Sequence, residues 1–572
     1  MNKKTLLPII LLIFSFIIIG CGNGAGSKYA DTVITGTIYT SEADNKMVSA
    51  VAIKDGVYQY VGDEEGVKEF IGDNTEVINL ESGMAMPSFF EAHAHAELGG
   101  IGKLYQVELY DGKSMKDYET IVSNFVAEHE GLKILRGSGW GNGYTPKNGP
   151  TKDVLDRIST EIPIVLTSQD YHSIWVNSKA MEIAGVDANT PDVEGGVIER
   201  DPVTKEPTGT FREKAQDLIL TKLPDYSVEE YKSGILAYQD EALSYGVTSI
   251  FNPLLNMNTD GKNLFSALNE LDKSGDLKLT YFSGFQVLAE NDPISNLNVI
   301  ADLKKQANGN KFKLTTVKLF ADGVVEGKTA YMLEDYTSDP GFRSVGLWEQ
   351  DAMNEICLKA EELGLQIHIH SIGDAAARLS INALEHVQKT TGATNKRHAI
   401  THLQVVNKDD IKRMGELNIV AVANPYWFFK EDGYYYELEL PYLGERAEHE
   451  YPMKDLFDAG CVVSLASDYP VTVPPRPLDG IQIGATRMNL EGELDSLLGA
   501  DQIVSVEQMM DSATINGAYQ NFAEDTLGSI KVGKKADFII LDQNILEIAP
   551  TDITKTKVLK TYIDGKLVYQ AA

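Results

Sequence analysis

Eight short runs of β-branched, aromatic and other apolar residues recur along this chain, and their spacing restricts the fold more than any other feature. They are 86–91, 247–251 (VTSIF), 278–283 (LTYFSG), 315–320 (TTVKLF), 365–370 (LQIHIH), 399–402 (AITH), 418–423 (NIVAVA) and 462–466 (VVSLA). From the second run onward, most intervals have room for one helix and its loops. Amphipathic patterns at 352–363 and 374–388 fill two of them. Strands alternating with helices imply an α/β protein with a parallel sheet, and eight such units suggest a (β/α)8 TIM barrel spanning 85–519.

The first interval is too long for a single crossover. Residues of about 100–240 must form a large insertion after strand 1, with strands at KILRGSG and PIVLTS and helices near 113–129, 178–184 and 227–245. An insertion there would lie over the mouth of the barrel, as a lid or specificity element. At the chain ends, 29–84 and 520–572 carry short alternating strands with turn signals such as Asp55-Gly56 and Gly565-Lys566. The two ends are expected to form one small composite β-sandwich domain.

Residues 1–21 read as a targeting segment. Lys3 and Lys4 precede an apolar run, Thr5 to Gly20, of signal-peptide length. The run ends at Cys21, in a pattern resembling a lipoprotein signal whose lipobox cysteine is lipidated, and 22–28 is a Gly/Ser tether. The expected location is therefore the bacterial cell envelope, with membrane contact through a lipid anchor only. A net charge of -32 would repel phosphate backbones, so no nucleic-acid partner is expected. Cys357 and Cys461 lie in apolar patterns and read as core residues.

Polar residues fall where barrel enzymes place their chemistry, at the C-terminal ends of strands. The first run leads into His93 and His95, the fourth carries Lys318, the fifth ends at His370, the sixth at His402, and Asp468 follows the eighth. Strand alternation puts His93 and His95 on one face, one pleat repeat apart, an arrangement suited to a divalent metal such as Zn²⁺. His368 and His370 also share a face; His370, nearer the strand end, is the favoured ligand. Lys318, flanked by Val317, Leu319 and Phe320, reads as a strand-interior lysine that needs a carboxylate partner or a covalent modification.

HAH after an MPxF strand, VKLFADG, HIHSIGDAA, THLQ, ASDYPV and GSIKVGKKADF together resemble the amidohydrolase superfamily, and within it the YtcJ-like group, amidohydrolase family three. YHSIWVNSKA, PTGTFREKA and YGVTSI support the group, and the likeness runs from about residue 30 to the C-terminus. It implies a metal-dependent hydrolase. His93 and His95 would bind one metal, and His370 and His402 would bind a second or complete the site. Lys318 would be the lysine that carboxylation turns into a bridge between two metals; without carboxylation the site would hold one ion. Asp468 would touch metal and nucleophilic water together. Two departures stand out: Ser88 and Glu91 replace the group's usual Gly and Asp, which implies altered contacts behind the ligands.

The chemistry expected is cleavage of a non-peptide C–N (amide-type) bond in a small molecule, such as an N-substituted formamide or N-acyl compound. Zn²⁺ lowers the pKa of bound water from 15.7 to about 7, and Asp468 acts as general acid and base. The resemblance places Trp140, Asp170, His172 and Asn177 of the insertion in group-typical motifs that would line the substrate pocket. Asp322 and Glu326 after the fourth strand and Tyr469 after the eighth are further mouth residues. A homodimer is carried as an expectation about assembly. Two other readings stay open: a deaminase or cyclic-amide hydrolase on the same scaffold, and a catalytically inactive, surface-anchored binding lipoprotein.

Overall fold

The computed structural model describes residues 28–572, apart from 130, 142–143, 169–172, 194–195, 258, 290–291, 308, 326 and 432–433. The expected signal segment with Cys21, most of the tether, and Asp170, His172 and Glu326 therefore lie outside the described residues. Among the described residues, no helix is long and apolar enough to cross a membrane.

Eight parallel strands pair in chain order: β1 (Phe89–Glu91), β2 (Val247–Leu255), β3 (Thr280–Gln286), β4 (Phe312–Phe320), β5 (Gln366–Ser371), β6 (Ala399–His402), β7 (Val420–Ala423) and β8 (Val463–Leu465). The seam between β8 and β1 is bridged by Ala92 N–H, which donates to the Leu465 carbonyl at 3.1 Å. Alternation sorts the side chains into two layers. Ile367, Ile369 and Ile400 pack outward with the helices. Ala92, Ala399, Val420, Val422 and Ala466 fill the interior. Phe90, Phe251 and Phe282 form a further aromatic cluster with Ala518 and Leu527.

Every expected strand run overlaps one of these strands, but the first differs in its bounds. Strand Glu76–Pro87 belongs to the sheet at the chain ends, where Met86 pairs with Ile539. The barrel strand begins only at Phe89 and stops at Glu91, two residues before His93.

Helices α1 (Ala96–Tyr105) and α2 (Val228–Ser244) pack closely, and glycine permits the approach: a Cβ on Gly100 would stand 1.9 Å from the Gly234 carbonyl oxygen. The helix expected at 227–245 thus belongs to the barrel's outer layer. The insertion is shorter than expected and has its own six-stranded sheet between Gln106 and Glu213. That sheet carries separate cores, one around Val107, Trp140 and Trp175 and another around Ile174 and Phe211.

The chain ends form a single seven-stranded hydrogen-bonded sheet, into which Phe538–Leu541 is paired beside Glu76–Pro87. Both ends feed one core containing Ile34, Ile38, Phe538 and Ile540.

Candidate metal centre

The seam of the barrel gathers the first three candidate ligands. After β1 ends, Asp468 N–H donates to the His93 carbonyl at 2.9 Å and His95 N–H to the Tyr469 carbonyl at 2.7 Å. Glu91 reinforces this lacing: its Oε1 accepts from His93 N and from Ser467 N, both at 3.0 Å. His93 and His95 therefore do not share a strand face; they occupy the bend beyond β1 and are brought together by its hydrogen bonds to the β8 loop. His93 Nε2 and His95 Nε2 approach Asp468 Oδ1 to 3.3 and 3.2 Å. Ser88, the other departure noted in the sequence, exchanges a 2.6 Å hydrogen bond with Thr248.

β4, β5 and β6 supply the rest. Register pairs Lys318 with His368 and Phe320 with His370, so these four side chains share the inner face. His402 is different. His370 pairs with Thr401, so alternation alone would turn His402 outward. A φ of +75° at His402, followed by +51° at Leu403, breaks the alternation and lets it line the cavity with His370. Asp468 has a φ of +57°. Left-handed backbone at non-glycine residues costs about 1–3 kcal/mol each and persists where surrounding structure enforces it. The ring centres of His370 and His402 lie 4.6 Å apart, and those of His93 and His402 5.2 Å apart.

Partners behind the rings set their tautomers. Asn424 Nδ2 donates to the Ala466 carbonyl at 3.3 Å, which aims its Oδ1 at His402 Nδ1, 2.9 Å away. The proton then belongs on Nδ1 of His402, leaving the Nε2 lone pair available. His370 is arranged the other way: Nε2 donates to the Gly323 carbonyl at 3.0 Å, leaving Nδ1 available. His368 packs behind His93, its Nε2 2.9 Å from His93 Nδ1.

Burial keeps three of the imidazoles neutral, the form that offers a lone pair: it holds His93 and His402 well below the ordinary histidine range and His370 at about 4. Burial also pushes the Lys318 amine down to about 7, against the pull of the Asp468 carboxylate. For Asp468 itself, burial opposes ionisation, but His95, His402 and Lys318 outweigh it and hold the carboxyl below its usual value.

The residues fit a cation. His93, His95 and Asp468 each direct a ligand atom into a space less than 4.8 Å across. Asp468 Oδ1 is buried and makes no hydrogen bond, and the same is true of His95 Nδ1. A shared ion between the two imidazole nitrogens and Oδ1 would resolve the orphaned oxygen, and nitrogen with carboxylate donors suits Zn²⁺. These residues line a cavity of about 540 Å³ together with Lys318, His370 and His402.

The other expected pocket residues go elsewhere. Trp140 is fully buried in the insertion's core and its Nε1 donates to the Leu166 carbonyl at 2.8 Å. Asn177 caps the helix Ser178–Ala184 and holds the backbone of Ser159, Ile162 and Ile164. Asp322 does not face the cavity; it accepts from Tyr331, Ile372 and Gly373 N–H at 2.8–3.0 Å, tying the loop after β4 to the loop after β5. The Tyr469 hydroxyl points to Glu241 on α2 at 3.4 Å. None of the described insertion residues lines the cavity, so the expected lid role finds no support there. The walls come instead from Gln404, from Trp427, Phe429, Tyr434 and Glu439, and from residues 471–473. The aromatic run PYWFF at 425–429 was the sequence signal for this wall.

A closed parallel barrel with imidazoles and a carboxylate converging at the C-terminal rim defines the class of metal-dependent hydrolases. The amidohydrolase family model matches residues 76–569, and the chain belongs to that family. Protein LONG AFTER FAR-RED 3 of Arabidopsis thaliana is 29% identical over 94% of this chain and 92% of its own length. The putative amidohydrolase YtcJ of Bacillus subtilis is 28% identical over 94% and 98%. The N-substituted formamide deformylase of Arthrobacter pascens is 23% identical over the same shares. Among solved structures, an uncharacterized metal-dependent hydrolase from Pyrococcus horikoshii superposes with a TM-score of 0.74 at 25% identity, covering 91% of this chain and 99% of that one. The chain is an enzyme, a hydrolase acting on C–N bonds.

Proposed function

We propose that the protein hydrolyses an amide-type C–N bond in a small molecule, such as an N-substituted formamide or N-acyl compound. The observation that carries this is the buried, unpartnered Asp468 Oδ1 facing His93 Nε2 and His95 Nε2 at the floor of the cavity. His93, His95, His370, His402 and Asp468 would hold one or two Zn²⁺ ions, with a carboxylated Lys318 as bridge in the two-ion form. When bound, the ion supplies a Lewis acid for the scissile carbonyl and acidifies water.

The chain's own part follows from position. Asp468, fixed by its backbone bond to His93, accepts the proton of the attacking water on its carboxylate and returns it to the leaving nitrogen. Asn424 and Gly323 hold His402 and His370 in tautomers that each leave one ring nitrogen with a lone pair. The aromatic side chains of Trp427 and Phe429 shield the carbonyl from bulk water. The name of the Arthrobacter relative supports formamides as the first compounds to try. We further propose that Cys21 carries a lipid anchor and holds the enzyme at the cell envelope.

A screen of N-formyl and N-acyl amines with zinc-loaded protein tests the reading. Turnover is expected to vanish with a chelator and in Asp468→Asn, with the fold unchanged by circular dichroism. Full activity in that variant or after chelation would refute the assignment, and release of ammonia alone would favour a deaminase.

A further inference from the structure

The floor and the walls of the cavity differ in chemistry. Lys318 and the imidazoles are its basic lining groups among the described residues, and all of them belong to the floor. The wall that continues from His402 is acidic. Gln404 Nε2 donates to Glu439 Oε1 at 2.9 Å and to Glu450 Oε1 at 2.6 Å, so both its protons are spent on carboxyl groups. Glu439 is 3% exposed and lines the cavity; Glu450, at 0%, stands behind it. Two adjacent buried carboxyls cannot both ionise. Burial, with the neighbouring Glu439 adding to it, drives Glu450 far above the usual carboxyl range. Glu439 is the member of the pair that faces the cavity.

Arg487 lies behind the same wall, but its guanidinium is committed to backbone, donating to the carbonyls of Leu498, Tyr451 and Glu450 at 2.8–3.0 Å. A second carboxylate, Glu431, lines the cavity and is exposed. Between these acids and the floor the lining is aromatic. Trp427 stacks on His402 at 5.6 Å between ring centres and is pinned by its Nε1 donating to Thr472 at 3.1 Å; Tyr434 lines the same space. Aromatic faces beside a desolvated carboxylate recognise ammonium groups. Among the described residues, an anionic substrate would meet no positive group on these walls, and the net charge of -32 would repel it at a distance.

From this we propose that the cavity selects substrates carrying a cationic nitrogen on the part remote from the bond being cut, with Glu439 as its counter-ion. The inference rests on the C–N hydrolase reading for its floor, and on the wall residues alone for its specificity.

Binding and turnover test it separately. Calorimetry on zinc-loaded protein compares choline with its neutral carbon isostere, 3,3-dimethylbutan-1-ol. Choline should bind roughly tenfold or more tightly, and that ratio should collapse toward one in Glu439→Gln. Glu431→Gln, at an exposed position, should reduce it less. Kinetics then compares N-formylbenzylamines bearing para-aminomethyl, para-ethyl or para-carboxyl groups, with kcat/KM expected in that order. Equal or tighter binding of the neutral isostere, or a faster para-carboxyl compound, would overturn the proposal. A choline preference with no formamide turned over would sustain the cationic subsite and defeat the formamide reading. Turnover without charge preference would do the reverse.

Discussion

Replacing Glu91 by leucine would cut the tie between the two ends of the barrel seam. The Glu91 carboxylate accepts from His93 N–H at 3.0 Å and from Ser467 N–H at 3.0 and 3.2 Å. Those two residues precede or carry candidate ligands on opposite sides of the seam, and Glu91 is only 2% exposed, so water cannot replace it. Each buried N–H left without an acceptor costs about 1–3 kcal/mol; two of them amount to about 2–6 kcal/mol. Glu91→Gln should be milder: Oε1 can keep both 3.0 Å contacts, while the new amide faces Ser467 N–H where the 3.2 Å contact had been. Loss of a partner behind a metal ligand typically lowers metal affinity about 10–100-fold. Competition with a zinc chelator reads that affinity, and the rate of thermal inactivation reads stability for a large chain that unfolds irreversibly. The leucine variant should lose on both measures, and the glutamine variant less on each. Wild-type zinc affinity in the leucine variant would refute the view that Glu91 positions the site.

Two further perturbations address the tautomers and the domain junction. Asn424→Leu removes the acceptor for His402 Nδ1, so the ring should populate both tautomers, visible by nitrogen NMR, with zinc affinity lowered about tenfold; a single unchanged tautomer would count against the role of Asn424. Asp537 is buried, accepts from Asp564 N–H at 2.7 Å, and burial raises its pKa from 3.8 to about 6. A carboxyl raised in the folded state contributes stability that is fully present below its unfolded pKa and lost as pH rises through 6. At about 1.36 kcal/mol per pKa unit, the loss across that window is about 3 kcal/mol. The stability difference between wild type and Asp537→Asn should therefore change by that order between pH 4 and pH 6, and a flat difference would sink the assignment.

Local pattern reveals much of this enzyme and conceals a definable remainder. Barrel strands such as β5 and β6 were legible because a buried parallel strand must be apolar over a short span, and the polar residue that ends it then stands out. The candidate ligands were legible for the same reason. The geometry that unites them was not: His402 reaches the cavity only through a positive φ that overrides strand alternation, and His93 and His95 meet at Asp468 through seam hydrogen bonds spanning more than 370 residues. Trp140 and Asn177 misled because a tryptophan and an asparagine in a group-typical motif serve equally well as core and cap. Glu439 and Glu450 lie in a polar stretch that looks like solvated surface. Only the fold shows that Gln404 binds both carboxyls inside the cavity wall. Metal chemistry, which needs rare residue types at strand ends, leaves a local trace in sequence. Substrate selection depends on which common residues are desolvated together, and that information exists only after the chain has closed.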